Sequence, residues 1–305
     1  MSVPRIAVAL VTTHYQPEQS EFYARVADFG MDFYTVVDSQ TAIAGAPISH
    51  GIYQVDDQLC LAAGISRMNP TNPKVSQVCA WEKALYLFTH VKQDYDYIWI
   101  VEYDVFTPVI EVFDLLNKRF TESDCLARKL HYIRDSRFEP WPDARLSPTH
   151  LLPQPWARAM VCVARFSSEL LNSVANFVSS HDQSEMDFAP IEFIFHTIAL
   201  RDGLRINHAR EFKDVTFRHR RRFLFFFQES EWQPQEISRN RFYHAVKTWD
   251  AQVLLRERFE NFSPAQRLWW QAKALARFKI AYITKAPLFY INLIKRYSAA
   301  IRSAK

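Results

Sequence analysis

The amino-acid sequence predicts an α/β fold built on a mainly parallel central sheet. Strand-like apolar runs alternate with helical periodicity through the first half of the chain, and each such run ends in polar residues. The scale fits as well: 305 residues, 49% hydrophobic and 23% charged, suffice for one large domain with an appendage or for two small ones. In chain order, residues 5–13 read as a buried strand ending in Thr12, Thr13 and His14. Residues 18–29 read as a helix, and 32–37 as a second strand ending at Asp38. Residues 51–55 form a short third candidate, followed by Asp56 and Asp57. Val75, Val78, Cys79, Leu85 and Phe88 recur at helical spacing and predict an amphipathic helix over 75–91. A fourth strand spans 95–105, Pro108 stops it, and a further helix begins over 109–116.

The chain changes character over 138–155, where five prolines fall among polar residues. A loop of that length is the usual form of a lid or substrate-binding segment. Regular patterning resumes with a strand over 159–166 and a helix over 167–178, capped by Ser167 or Ser168. An apolar helix over 188–200 follows, ending near Gly203. A basic run at 218–222 leads into five apolar residues, and His244 stands at the centre of a short motif over 240–247. From Ser263 on, the pattern is helical, basic and aromatic, and Pro287 divides it in two.

Composition removes several function classes. With only 5 glycines there is no G-x-G-x-x-G and no G-x-x-x-x-G-K-[ST], so neither a glycine-rich dinucleotide turn nor a P-loop is available. The four cysteines (Cys60, Cys79, Cys125, Cys162) are scattered, as expected of reduced core residues in a cytoplasmic protein rather than a zinc knuckle or disulfide scaffold. The first apolar run is too short for a signal peptide, and no stretch reaches the roughly 18 residues that span a bilayer. Nine positive charges and no acid lie from Asn261 onward, which leaves the rest of the chain at −5 against a total of +4. A mildly acidic body without a helix-turn-helix or RRM pattern argues against nucleic acid as a partner.

The most informative segment is the fourth strand candidate. Its aromatic and β-branched run ends in Glu102 and Asp104, one residue apart, which on a strand point to the same face. Two neighbouring carboxylates are costly to bury unless a cation or hydrogen-bond donors meet them. Such a pair suits a hard metal, with a phosphate-bearing ligand supplying further oxygens; the plainer alternative is an acidic strand end running into solvent. In open α/β sheets ligands bind beyond the carboxyl ends of the strands. Thr12, His14, Asp38, Glu102 and Asp104 would gather there, where a nucleotide would bind.

This order of elements, with an acid-x-acid strand end, a later Glu on a helix and a late His, resembles the GT-A type glycosyltransferases over about residues 3–247. The resemblance implies that Glu102 and Asp104 hold Mn²⁺ or Mg²⁺ against the diphosphate of a nucleotide-sugar donor. The usual pattern is Asp-x-Asp, so Asp104 is the matching ligand and Glu102 a departure. It also implies a carboxylate base, best placed at Glu192, with Glu185 and Asp187 as rivals. Alone in an apolar stretch, Glu192 should have a raised pKa and be the better base for it; a solvent-facing residue or a partner for His196 is the alternative. If no carboxylate meets the acceptor hydroxyl, retention of configuration is expected. His244 would complete the metal set or touch the diphosphate, and Lys247 would neutralise the leaving phosphate.

The expected organisation is therefore a GT-A-like domain over 1–262 and a basic amphipathic helical extension over 263–305. The basic run at 218–222 is a diphosphate clamp, a contact to an anionic acceptor, or a solvated surface. The extension either lies on an anionic membrane surface, holding the protein peripherally at the inner face, or packs on the domain as a helical pair. A membrane-surface site suits a glycan or lipid-linked glycan acceptor, as in polysaccharide biosynthesis. Two other readings use the same features: a metal-dependent nucleotidyl or phosphoryl transferase, and a non-catalytic membrane-surface assembly protein.

Overall fold

The computed structural model describes residues 3–38, 51–66, 78–133, 152, 154–181, 191–215 and 237–261. The chain divides into two compact units: residues 1–216 with 239–244, and residues 217–238 with 245–305. The first carries a seven-stranded sheet of β1 (Ile6–Thr12), β2 (Asp32–Val37), β3 (Ile52–Gln54), β4 (Tyr97–Glu102), β5 (Cys125–Ala127), β8 (Val163–Ser167) and β9 (Ile206–His208). Their spatial order is β3-β2-β1-β4-β8-β5-β9. Pairing is parallel except on both sides of β8, which runs antiparallel to β4 and β5. The predicted α/β class with a mainly parallel sheet is thus observed. Because β2 and β4 flank β1, the chain reverses its winding there, and the carboxyl ends of β1 and β4 mark the place where open α/β sheets bind ligands.

Alternation along β4 sorts its side chains into two cores. Ile98 and Ile100 join the apolar cluster formed with helices α3 (Ala80–Tyr86), α5 (Ser168–Ser180) and α6 (Ile191–Arg201). Trp99 points to the other face, where its ring meets Phe113 of α4 (Val112–Arg119) edge-on at 5.0 Å and stacks toward Phe212 at 6.2 Å. Phe242 packs on Phe113 and Phe212 at 5.1 and 5.4 Å, which ties the stretch before His244 to this aromatic cluster.

Several local expectations are refined. The first predicted helix is α1 (Pro17–Ala24), started by its proline, and its continuation over Arg25–Phe29 tightens to a 3₁₀ turn ended by left-handed Gly30. Helix α3 begins at Ala80 and continues over Leu87–Val91 as a π-helical turn; residues 75–77 lie outside the described residues. Ser167 caps α5 by accepting a 3.2 Å hydrogen bond from the Leu170 N–H. The strand expected at 159–166 begins only at Val163, and β7 (Trp156–Arg158) pairs with β6 (His131–Ile133) instead. Helix α2 (Asp57–Ala62) starts where Asp56 accepts from the Gln58 N–H at 2.9 Å.

One expectation is corrected. Strand β4 ends at Glu102, so Asp104 is not its neighbour on a common strand face. The Val105 N–H donates to the Glu102 carbonyl at 3.0 Å and closes a turn around Tyr103 and Asp104. Two side chains hold this turn from α1: Gln19 donates to the Tyr103 carbonyl at 2.6 Å, and the Tyr23 hydroxyl to the Val105 carbonyl at 2.8 Å.

The second unit contains α7 (Trp249–Asn261), whose first turn is met by the Gln252 side chain donating to the Val246 carbonyl at 3.2 Å. The basic run at 218–222, most of the loop over 138–155, and the extension over 263–305 lie outside the described residues. Among the described residues no helix is long and apolar enough to cross a membrane.

Candidate active site

Glu102 emerges on the even-numbered face of β4, toward α3, α5 and α6. There the indole Nε1 of Trp81, on α3, donates to its Oε1 at 2.9 Å. Asp104 reaches the same place from the turn and is 2% exposed. The histidine arrives from far along the chain. Phe106 and Tyr243 exchange a pair of backbone hydrogen bonds at 2.9 Å each, and β11 (Tyr243–His244) also runs beside β10 (Asp214–Val215). That antiparallel bridge sets His244 Nε2 3.5 Å from Asp104 Oδ1 and 3.9 Å from Glu102 Oε2. Burial and the Asp104 charge push the Glu102 carboxyl above its usual range, and His244 pulls the other way.

Glu192, in the first turn of α6, faces this group closely enough to feel the Glu102 and His244 charges. Burial raises its carboxyl to about 7. Its turn is fixed by the segment around β7: the Ala159 N–H donates to the Glu192 carbonyl at 3.1 Å, and the Thr197 hydroxyl donates to the Ala157 carbonyl at 3.1 Å. His196 does not pair with the Glu192 carboxylate. Its Nδ1 bonds the Glu192 backbone carbonyl at 3.1 Å, and burial lowers the ring's pKa to about 4, so it is neutral.

Beside the acids, the ends of β1 and β2 carry the other predicted residues. The Thr12 hydroxyl donates to the His14 carbonyl at 2.7 Å, and the Asp38 N–H donates to the Thr12 carbonyl at 2.8 Å. The Tyr103 N–H donates to the Val11 carbonyl at 3.0 Å, so this group adjoins the acidic turn. Sequence reasoning missed what anchors it. Lys83 of α3, fully buried, donates to the Asp38 carbonyl at 2.8 Å, and lies 3.3 Å from Asp38 Oδ1 and 2.8 Å from Asp57 Oδ1. Burial raises the Asp38 carboxyl while Lys83 opposes the shift. A lysine on the apolar face of α3, two residues after Trp81, was the available signal.

The structure therefore brings together Glu102, Asp104, His244 and Glu192, with Thr12, His14 and Asp38 as an adjoining group. Lys247 belongs to the second unit, and Glu185 and Asp187 lie outside the described residues. Two ligands about 2.0–2.2 Å from one ion are at most roughly 4.4 Å apart. The 3.5 and 3.9 Å separations satisfy that limit, and carboxylate with imidazole is an ordinary donor set for a divalent cation. His244 with either carboxylate thus fits a metal ion. Cys162 is a further member that sequence reasoning set aside as core: Glu102, Cys162 and His244 form a Glu/Cys/His cluster able to hold one.

No family model matches the chain, and no curated protein matches it. Among solved structures, the chain is similar to an active-site mutant of LgtC at 10% identity, covering 86% of this chain and 99% of that one with a TM-score of 0.43. It is also similar to mouse xyloside xylosyltransferase 1 without ligand, at 11% identity over 68% of this chain and 85% of that one, with a TM-score of 0.32.

Proposed function

We propose that the chain is a glycosyltransferase that moves a sugar from a nucleotide-diphosphate donor to a hydroxyl of a glycan or lipid-linked glycan. The observation that carries this reading is the convergence of Glu102, Asp104 and His244 opposite Glu192, beyond the carboxyl ends of parallel strands. Glu102, Asp104 and His244 would hold Mn²⁺ or Mg²⁺ at the donor diphosphate. When bound, the cation supplies Lewis-acid stabilisation to the departing diphosphate. Thr12, His14 and Asp38 would bind the nucleoside end. Glu192, with a pKa of about 7, is poised to accept the acceptor proton near neutral pH as the oxygen attacks the anomeric carbon. Attack with base assistance from one side and departure from the other gives inversion. The extension over 263–305 would bring the protein to an anionic membrane surface on the cytoplasmic side, where lipid-linked acceptors are found.

The test is thermal melting of the full chain against a panel of nucleoside diphosphates, each with and without Mn²⁺. A ligand of the folded state raises the melting temperature. One nucleotide is expected to do so only with the metal, and Asp104→Asn to abolish that gain. No shift with any nucleotide overturns the reading. Release of pyrophosphate instead of nucleoside diphosphate in turnover assays would replace it with nucleotidyl transfer.

A further inference from the structure

Cys162 takes no part in the chemistry just described, yet its place is set by strand register. The Glu102 N–H donates to the Cys162 carbonyl at 2.8 Å, extending the antiparallel ladder of β4 and β8 one pair past Val101 and Val163. Paired residues of such a ladder project to the same face. Ala164 and Phe166 of β8 accordingly enter the same core as Ile98 and Ile100. The Cys162 sulfur therefore emerges beside the Glu102 carboxylate. A carboxylate oxygen of Glu102, the Cys162 sulfur and a ring nitrogen of His244 lie within 4.8 Å of one another. Cys125 shows the contrast: it sits in β5, and Asp124 is the charge acting on it.

We propose that Cys162 is a ligand of the cation at this site, and that the mixed oxygen, nitrogen and sulfur set selects a thiophilic divalent metal, of the zinc or cobalt kind, over Mg²⁺. The inference rests on the metal-assisted reading above and narrows which ion serves it. Thiolate and imidazole suit zinc and its first-row neighbours, whereas Mg²⁺ takes oxygen donors and retains water. On binding, the thiol proton leaves to solvent as the metal–sulfur bond forms. Such ions favour four donors, so Glu102, Cys162 and His244 leave one position for a ligand oxygen or water.

The experiment titrates Co²⁺ alone into the full chain and follows its absorption. A sulfur-to-cobalt charge-transfer band is expected in the near ultraviolet, lost in Cys162→Ser and in His244→Ala, with the metal-free Cys162→Ser chain melting as the parent does. Persistence of the band in Cys162→Ser overturns the assignment, because another cysteine would then hold the metal, and a spectrum unchanged in His244→Ala overturns the shared site. Should Cys162→Ser fail to fold, X-ray absorption of the zinc-loaded parent decides: a sulfur shell at about 2.3 Å is expected, and a shell of nitrogen and oxygen alone overturns it. A metal-dependent nucleotide shift without a sulfur shell leaves the transferase reading standing and removes the thiol from it. A sulfur shell without nucleotide binding does the reverse.

Discussion

Three buried ionisable side chains carry separable consequences at the scale of single residues. If Glu192 is the base proposed above, it acts only when deprotonated, so kcat/KM should rise with pH through about 7 and level above it. Glu192→Gln should remove most of the activity and that limb together; a limb that survives in the variant belongs to another group. His196 is held neutral in the fold, with its pKa lowered to about 4 from 6.5. A depressed pKa contributes stability that is complete above 6.5 and lost as pH falls through 4, by about 3 kcal/mol. Urea denaturation from pH 7 to 4 should show that loss, reduced in His196→Gln; parallel profiles would mean the ring is charged in the fold. Lys83 lies between Asp38 and Asp57 with 0% of its side chain exposed. Removing one partner of a buried ion pair costs roughly 3–5 kcal/mol, and the lower end applies because both carboxylates keep some access to water. Lys83→Met should lower the unfolding free energy by about 3 kcal/mol, and a change within experimental error would deny the ammonium its anchoring role.

The elements differ in how plainly the sequence announces them, for a physical reason. Strands β1, β2 and β4 are mostly apolar runs because both faces of a parallel sheet are covered, and so they are readable at sight. Strands β5 and β9 have three residues each, too short to display any period. The acid pair was legible as chemistry but not as geometry: nothing in Tyr103-Asp104-Val105 reveals that α1 folds the segment into a turn. His244 was legible only through a resemblance, since the bridge that delivers it joins segments far apart in sequence. Cys162 and Trp81 were not legible at all, because their roles follow from register and packing, and Lys83 was legible only as a charge on an apolar helix face. Turn chemistry offers a test at this scale. Gly30 and Gly51 share a φ of +75°, but a Cβ at Gly30 would meet nothing within 4 Å, while one at Gly51 would lie 2.4 Å from the Phe33 carbonyl oxygen. Both alanine variants incur the left-handed strain of roughly 1–3 kcal/mol. Gly51→Ala should lose clearly more melting temperature than Gly30→Ala, and equal losses would show that the β2–β3 contact yields.

For the whole molecule, charge is unevenly distributed along the chain, with a basic extension attached to a mildly acidic body. If the extension docks on membranes, the full chain should sediment with anionic vesicles and not with neutral ones, and should be released as ionic strength rises and the screening length shrinks. Equal binding to both vesicle types would deny that role. The bridge between Phe106 and Tyr243 has a different consequence, one of timing. Every strand of the central sheet is encoded before residue 209, yet the imidazole facing the two acids is not synthesised until residue 244. On the ribosome the sheet can assemble while that position is still untranslated, so the nascent protein passes through a stage in which the sheet is formed and the imidazole opposite the acids is missing. Long-range closure of this kind is also slow, because the intervening chain must be ordered before the contact forms.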